Sequence, residues 1–325
     1  MFRMTSRIDI QGFKPVKSSS MKWERHVDNI SDTATIIFPG VCMLVQKGVS
    51  YSKVPTGLQF KEGMKIKIAA GYDAKNDLRF MGFIKRINFS IPMEVECEGY
   101  AYQLRKKIFS KGYSNTTVKK ILEDLIIGTD IKLSSAIPNI PISKVWFKNY
   151  TGLQVLEYFK EKCLLTVYFN FDELYVGLRA MEVKKTVRHR LNWNVIKDGD
   201  LMFNADKEFA TVNIQIQKRT ASGHKIKGDS TTVKAGDLKI KKVSLIDDPN
   251  VLREIAEEEK RKLNNRGYSG QITTFLVPYV EPGMVSHIVD RKYPERSGYY
   301  FIEGVSGSFS SNGGRQKVSI GFSLK

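Results

Sequence analysis

Alternating apolar and polar residues mark strands through most of the first hundred positions. Met21, Trp23, Arg25 and Val27 fall on one phase, and Lys22, Glu24 and His26 on the other. A mostly apolar phase set against a polar one at period two predicts a half-buried strand, with His26 on its solvent face. Asp28-Asn29-Ile30-Ser31-Asp32 is turn chemistry. The β-branched run 33–38 returns as a second strand and Pro39-Gly40 ends it. Residues 64–68 alternate after Gly63, 73–77 turn, and 79–84 return; Val95, Cys97 and Gly99 then alternate with Glu94, Glu96 and Glu98. This succession predicts a small, twisted antiparallel barrel or sandwich.

The period changes near Lys107. Val118, Ile121, Leu122, Leu125 and Ile126 form one helical face, which Asn115 or Thr116 can cap and Gly128 can end. A second helix starts after Thr151, with Val155, Leu156, Phe159 and Cys163 on one side, and leads to strands at 164–171 and 174–178 around a turn at Asp172-Glu173. Residues 108–200 therefore read as a mixed α/β unit. The last third returns to strands. Residues 209–217 alternate, and 220–237 are rich in Gly, Ser, Thr and Lys, as in an exposed loop. Asp248-Pro249 opens a helix to about 264, with Val251, Leu252, Ile255, Ala256 and Leu263 facing a core. On its polar side Glu257 with Arg261, and Glu258 with Lys262, are i,i+4 pairs. Strands at 271–277, 284–289, 299–305 and 317–324 complete the chain.

An internal echo links the two strand-rich ends. Gly63-Met64 is followed by Gly82 within an aromatic strand that ends Phe89-Ser90; Gly283-Met284 is followed by Gly304 within one that ends Phe309-Ser310. One hairpin design used twice, or chance, accounts for it. Use of one design twice would make the chain barrel, α/β insert, barrel. The expected fold is α+β and mainly β: an N-terminal β-barrel domain (1–107), an α/β middle domain (108–200) and a similar C-terminal β-barrel domain with one helix (201–325).

Composition narrows the class. Hydrophobic residues make up 42% and aromatics 11%, enough for packed cores and too much for a disordered chain. No apolar run approaches the ~18 residues of a transmembrane helix. The first residues, Met1-Phe2-Arg3-Met4-Thr5-Ser6, lack the apolar stretch of a signal peptide, so synthesis in a cytosol is expected. Cys42, Cys97 and Cys163 are far apart, form no CxxC and read as small buried hydrophobes.

The formal charge is +18, which points to a polyanion, a membrane surface or an acidic protein partner. It is spread along the chain. Residues 1–107 hold 18 basic and 10 acidic residues (+8), 108–200 hold 14 and 10 (+4), and 201–325 hold 20 and 14 (+6). No basic tail or arm of the nucleic-acid-tethering kind is present.

Candidate chemistry is sparse. His26, His189, His224 and His287 sit in no HxxxH, HExxH or Cys/His array of zinc spacing. Glu94, Glu96 and Glu98 line one strand face; as calcium ligands or an acid/base set they need convergent groups from other segments, and a solvated face or one opposite basic neighbours is the plainer reading. No GxxxxGK[ST], GxGxxG or GxSxG occurs, and Ser311-Asn312-Gly313-Gly314-Arg315 reads as a turn. Lys144-Val145-Trp146-Phe147-Lys148-Asn149-Tyr150 could stack on single-stranded nucleic acid, but it leads straight into a helix and is expected to pack there. The sequence thus offers no catalytic, cofactor-binding or metal residues, and no enzyme is expected.

Several stretches, taken in order, resemble phage tail hub proteins. The segment from Trp23 to Pro39, with Asp32-Thr33-Ala34-Thr35-Ile36 and Phe38-Pro39, is similar to the family's N-terminal hairpin. Phe60-Lys61-Glu62-Gly63, Gly71-Tyr72 and Phe80-Met81-Gly82-Phe83-Ile84 match its Phe-x-x-Gly, Gly-Tyr and Phe-x-Gly-x-Ile succession. The 100–104 segment after Cys97 resembles its crossing strand, 116–125 and 151–159 its two short helices, and Leu174-Tyr175-Val176-Gly177 the strand after them. The strand after Pro282-Gly283 and that at 299–305 resemble its C-terminal barrel. The family is the baseplate or tail hub group, also called late control protein D-like, related to the N-terminal part of type VI spike proteins.

The resemblance implies a homotrimer whose two barrels per subunit make a pseudo-sixfold ring. That ring would meet the tail tube protein above and a spike or tail-tip protein below, among other baseplate proteins, around a channel for DNA. It implies a virion tail or baseplate location after assembly in the bacterial host cytoplasm. With the chain ending at Lys325, no fused spike or lysozyme is expected. The charge would then face acidic tail neighbours in part and the channel in part. Two other classes stay open: a basic nucleic-acid-binding protein built from β-barrel domains, and a tail-associated cell-wall hydrolase using Glu94, Glu96 and Glu98.

Overall fold

The alternating segments form strands. A computed structural model describes residues 3–45, 51–179, 185–204, 214–219, 225–227, 239–243, 245–246, 248–263 and 267–324 of the chain. The first part contains β1 (Met4–Ile10), β2 (Ser20–His26), β3 (Thr33–Phe38), β4 (Val41–Val45), β5 (Tyr51–Pro55), β6 (Lys65–Tyr72), β7 (Lys75–Asn88) and β8 (Met93–Glu98). Next come α1 (Tyr102–Arg105), β9 (Ile108–Thr117), α2 (Val118–Ile126), β10 (Lys132–Leu133), β11 (Pro141–Thr151), α3 (Gly152–Lys162), β12 (Thr166–Asn170) and β13 (Glu173–Gly177). The last part holds β14 (Thr186–Arg190), β15 (Val195–Asn204), β16 (Ile214–Arg219), β17 (Lys225–Lys227), β18 (Lys239–Lys242), α4 (Pro249–Leu263), β19 (Gly267–Thr274), β20 (Val285–Val289), β21 (Gly298–Ser310) and β22 (Gly313–Leu324).

The sequence anticipates two barrels. Among the described residues neither end closes into one; both belong to a single 12-stranded sheet. Its path runs β1-β6-β7-β8-β3-β2-β21-β22-β19-β15, with β20 also on β21 and β14 on β20. The join is β2 on β21, antiparallel, with Glu24 opposite Ser306 and His26 opposite Gly304. The physical reason is strand length. β20 reaches only the first part of the 13-residue β21, so the rest of β21 keeps an open edge, and β2 pairs with it.

The two ends of the sheet repeat one plan. Strands β1, β2, β3, β6, β7 and β8 have the same chain order and neighbours as β14, β15, β19, β20, β21 and β22. Gly63 N–H donates to Ile84 O (2.8 Å) and Ile84 N–H to Met64 O (2.9 Å); Gly283 N–H donates to Ile302 O (2.9 Å) and Ile302 N–H to Met284 O (2.9 Å). Gly63 and Gly283 have φ of 85° and 86°, a left-handed conformation that favours glycine. A bulge falls between Ile84 and Arg86 on β7, and another between Ile302 and Gly304 on β21. The echo in the sequence is therefore a structural repeat, but its register differs from the glycine match. Ile84 corresponds to Ile302, which sets Gly82 against Tyr300 and Gly304 against Arg86.

Three apolar clusters underlie the fold. One lies under β1–β3 and β6–β8, around Ile8, Ile36, Ile68, Phe80 and Ile84. Another lies under the last strands, around Ile272, Ile288, Ile302 and Val318. The third gathers α2, α3, β12 and β13 with Leu252, Ile255 and Ala256 of α4. In α2 the cap is Thr117 rather than Asn115 or Thr116: its hydroxyl accepts from Lys120 N–H (3.2 Å). Asn115 and Thr116 remain within β9. Gly128 follows α2 with φ 77°, as expected for a C-terminal glycine. Thr151 and Gln154 form a reciprocal capping box on α3. Asp248 Oδ1 accepts from Asn250 N–H (2.8 Å) at the start of α4. The expected strand at 209–213, the loop at 220–237 with His224, and the side chains of Arg261, Lys262 and Leu263 lie partly or wholly outside the described residues.

Candidate functional site

Period-two alternation gives the joined sheet one buried and one polar face. Met21, Trp23, Ala34 and Ile36 point to a core, while Lys22, Glu24 and Thr33 are exposed on the other side. Strand register carries polar rows across the sheet. One runs Arg86, Glu96, Thr35, Lys22, Ser308, Arg315; the next runs Thr33, Glu24, Ser306, Lys317, Thr273, Lys197. No apolar side chain interrupts either row. Lys22, Arg315 and Lys317 line a shallow groove with Thr35, Ser306 and Ser308. Basic and acidic groups alternate with hydroxyls, so this surface is wet and carries both signs of charge.

The middle elements cover the other end of the same face. Phe83 meets Tyr100 at 5.2 Å and stacks on Tyr102 at 5.4 Å between centroids; its counterpart Phe301 stacks on Phe322 at 5.2 Å. Both phenylalanines belong to the middle cluster. The repeat thus places an aromatic at the same position in each half, where each meets the middle unit.

Three buried arginines tie the parts together. Arg25 lies on the apolar phase of β2 and is 3% exposed. Its Nε donates to Asp32 (3.1 Å), its Nη2 to Asn170 (2.8 Å), and its guanidinium lies 3.9 Å from the Phe171 ring centroid. Arg79 donates to Ala70 O (3.2 Å) within the first half and to Leu276 O (2.7 Å) and Gln316 Oε1 (3.2 Å) in the last. Burial lowers its pKa, opposed by the charge of Asp77. Arg179 pairs with Glu303 (2.8 Å) and with Asp28, and its own N–H donates to Glu258 of α4 (2.5 Å). Planar guanidinium groups with several donors can satisfy partners on separate elements at once. One signal of this role was visible in the sequence: Arg25 on the apolar phase of a strand.

The residues singled out by sequence have definite places. Glu94, Glu96 and Glu98 stay on one strand, and no second carboxylate group from another element joins them among the described residues. Glu96 accepts from Arg86 (2.5 Å) and Asn88 (2.8 Å), which hold its carboxyl below the usual range. Glu98 is buried between Arg105 and Lys85. His26 lies on the polar face, its Nδ1 accepting from Asp28 N–H (3.1 Å). His26, Asp28 and Glu303 bring ligand atoms within 4.8 Å of one another, but Arg179 occupies both carboxylates. His189 is buried with Nδ1 2.7 Å from Ser286 Oγ, and His287 stacks on Tyr299 at 4.4 Å. The 144–150 segment lies in β11 against β9. Val145 and Phe147 are buried in the middle cluster, and Trp146 is 74% exposed. Cys97 and Cys163 are buried thiols, with burial pushing Cys163 up to about 12; Cys42 is half-buried. No helix among the described residues is long and apolar enough to cross a membrane.

No protein-family profile matches the chain. No curated protein matches it in sequence. Solved structures do match its fold. The 43 kDa tail protein of prophage MuSo2 from Shewanella oneidensis aligns with TM-score 0.66 and 12% identity over 98% of both chains. The tail protein from Neisseria meningitidis MC58 gives 0.64 and 14%, over 98% of this chain and 96% of that one. The E. coli c3393 protein, a component of the type VI secretion system, gives 0.58 and 12%, over 98% of this chain and 79% of that one. At these identities the likeness is one of fold, and it spans nearly the whole chain: the protein has the fold shared by these phage tail and type VI secretion proteins.

Proposed function

We propose that the chain is a structural hub of a bacteriophage tail or baseplate, or of a related contractile injection machine, of the late control protein D-like kind. Three copies form a ring joining the tail tube protein to a central spike or tip protein, alongside other baseplate proteins. The observation that carries this reading is the repeat within one sheet. A chain with two equivalent halves supplies six equivalent units from three copies, which suits a sixfold tube above and a threefold spike below. The two ends (1–107 and 201–325) are the ring-forming domains and 108–200 buttresses them, with α4 packed against it.

The polar rows face the channel in this reading. These rows, bearing both charges and many hydroxyls and no apolar side chain, let DNA pass without base-specific contacts. The engaged state of Glu96 and Glu98, on one strand with Glu94, favours a mechanical role over catalysis. The protein works in the virion tail after assembly in the host cytoplasm. The test is to mix the purified chain with the tail tube protein and image the product by negative stain. Threefold rings capping tube ends are expected. A tight, saturating nucleic-acid complex of a monomer, with no rings, would instead support the basic nucleic-acid-binding alternative and overturn the hub.

A further inference from the structure

The repeat leaves an unmatched pair of edges. Within the chain, β2 pairs with the second part of β21: Trp23 with Gly307, Glu24 with Ser306, Arg25 with Val305 and His26 with Gly304. Register identifies the counterparts of these residues in the other half. Lys22 and Asp200 stand opposite the corresponding Thr35 and Gln271, so Trp23, Glu24, Arg25 and His26 correspond to Leu201, Met202, Phe203 and Asn204 of β15. The two bulges likewise match Gly304, Val305, Ser306 and Gly307 with Arg86, Ile87, Asn88 and Phe89. The counterpart of β2 is thus β15, and the counterpart of the second part of β21 is the end of β7. β15 pairs only with β19, and β7 beyond Ile84 only with β8, among the described residues. Each is an open edge of the kind that recruits another strand.

We infer that β15 of one copy pairs antiparallel with residues 86–89 of the next copy, the end of β7 and the residue after it, in the register of the internal junction. Asn204 then faces Arg86, Phe203 faces Ile87, Met202 faces Asn88 and Leu201 faces Phe89. The side chains fit that arrangement. In the internal junction a bulky residue meets none: a Cβ on Gly307 would lie 2.1 Å from the Trp23 ring. At the proposed junction the bulk sits on the other strand, with the smaller Leu201 against Phe89. Met202 on β15 and Phe89 just beyond β7 are 67% and 68% exposed, unusual for large apolar residues, and pairing would cover them. The contact is head-to-tail, joining two different patches, and such contacts generate rings when the rotation closes. The inference rests on the ring reading above and names the strands that make it.

Paired cysteines test it in the full chain carrying Cys42→Ser. Directly opposed strand residues have Cβ atoms about 4.5–5.5 Å apart, close enough for a disulfide with small adjustment. Met202→Cys with Asn88→Cys probes the junction between copies. Glu24→Cys with Ser306→Cys is the matched pair within one chain. After mild oxidation the internal pair should close within single chains. The other pair should shift most of the protein to covalent species of two and three chains, ending at three, while neither single variant does so. If the unmodified chain is trimeric by mass and the internal pair closes but the 202/88 pair leaves only single chains, the strand junction is wrong and the ring survives. A chain that stays monomeric at high concentration and gives no covalent oligomer sinks both.

Discussion

The two halves of the sheet agree inside and differ outside. Buried positions correspond closely: Ile84 with Ile302, Val95 with Val318, Ile36 with Ile272, all essentially inaccessible. On the polar face the counterparts are unlike: Arg86 with Gly304, Glu96 with Ser319, Glu94 with Lys317. The outer strands differ most, since β1 runs antiparallel to β6 and β14 parallel to β20. Sheet shape follows from the interior, the bulge and the left-handed glycine, and these coincide. Side chains that would meet neighbours are free to diverge, as expected if the halves contact different partners from equivalent positions.

The largest effect should come from the arginine that joins the halves. Arg79→Ala strands buried carbonyls and the Gln316 amide, and should lower unfolding stability by about 3–5 kcal/mol in a denaturant titration. Next come matched core truncations. Ile84→Ala and Ile302→Ala should each cost about 2–5 kcal/mol and agree within ~1 kcal/mol; a large cost at one and none at the other would break the equivalence.

A third effect belongs to one half alone. Burial holds the imidazole of His189 at about 4, below its ordinary 6.5, and its Nε2 has no partner. Between these values the unfolded chain takes up a proton that the folded chain refuses. Stability should therefore be full above pH 6.5, fall by up to about 3 kcal/mol as pH drops to 4, and level off below. Amide exchange should show β14 and β20 loosening first, and His189→Gln should flatten the step. The smallest is a matched pair of turns: Gly63→Ala and Gly283→Ala should each destabilise by about 1–2 kcal/mol, since both need a left-handed backbone.

Much of the fold was legible because period-two patterning reports which phase of a strand is buried. Met21, Trp23, Lys22 and Glu24 took their expected sides, and 33–38 formed β3. The joining of the two ends was not legible, because alternation specifies a face and leaves the strand's partner open. The glycine match set Gly82 four positions out of register with Gly304, because strand pairing and bulges leave no fixed residue signature in the sequence. The polar face was visible strand by strand, as at Lys22 and Glu24. Its continuity across β2 and β21 needed the register. Arg79 sat unnoticed in an aromatic strand, its buried partners Leu276 and Gln316 nearly two hundred residues or more away.

Mass in solution tests the central claim most directly. Native mass spectrometry or light scattering of the purified chain at high concentration should give a trimer near three times 37.0 kDa, about 111 kDa. A single 37.0 kDa species at every concentration would contradict the account.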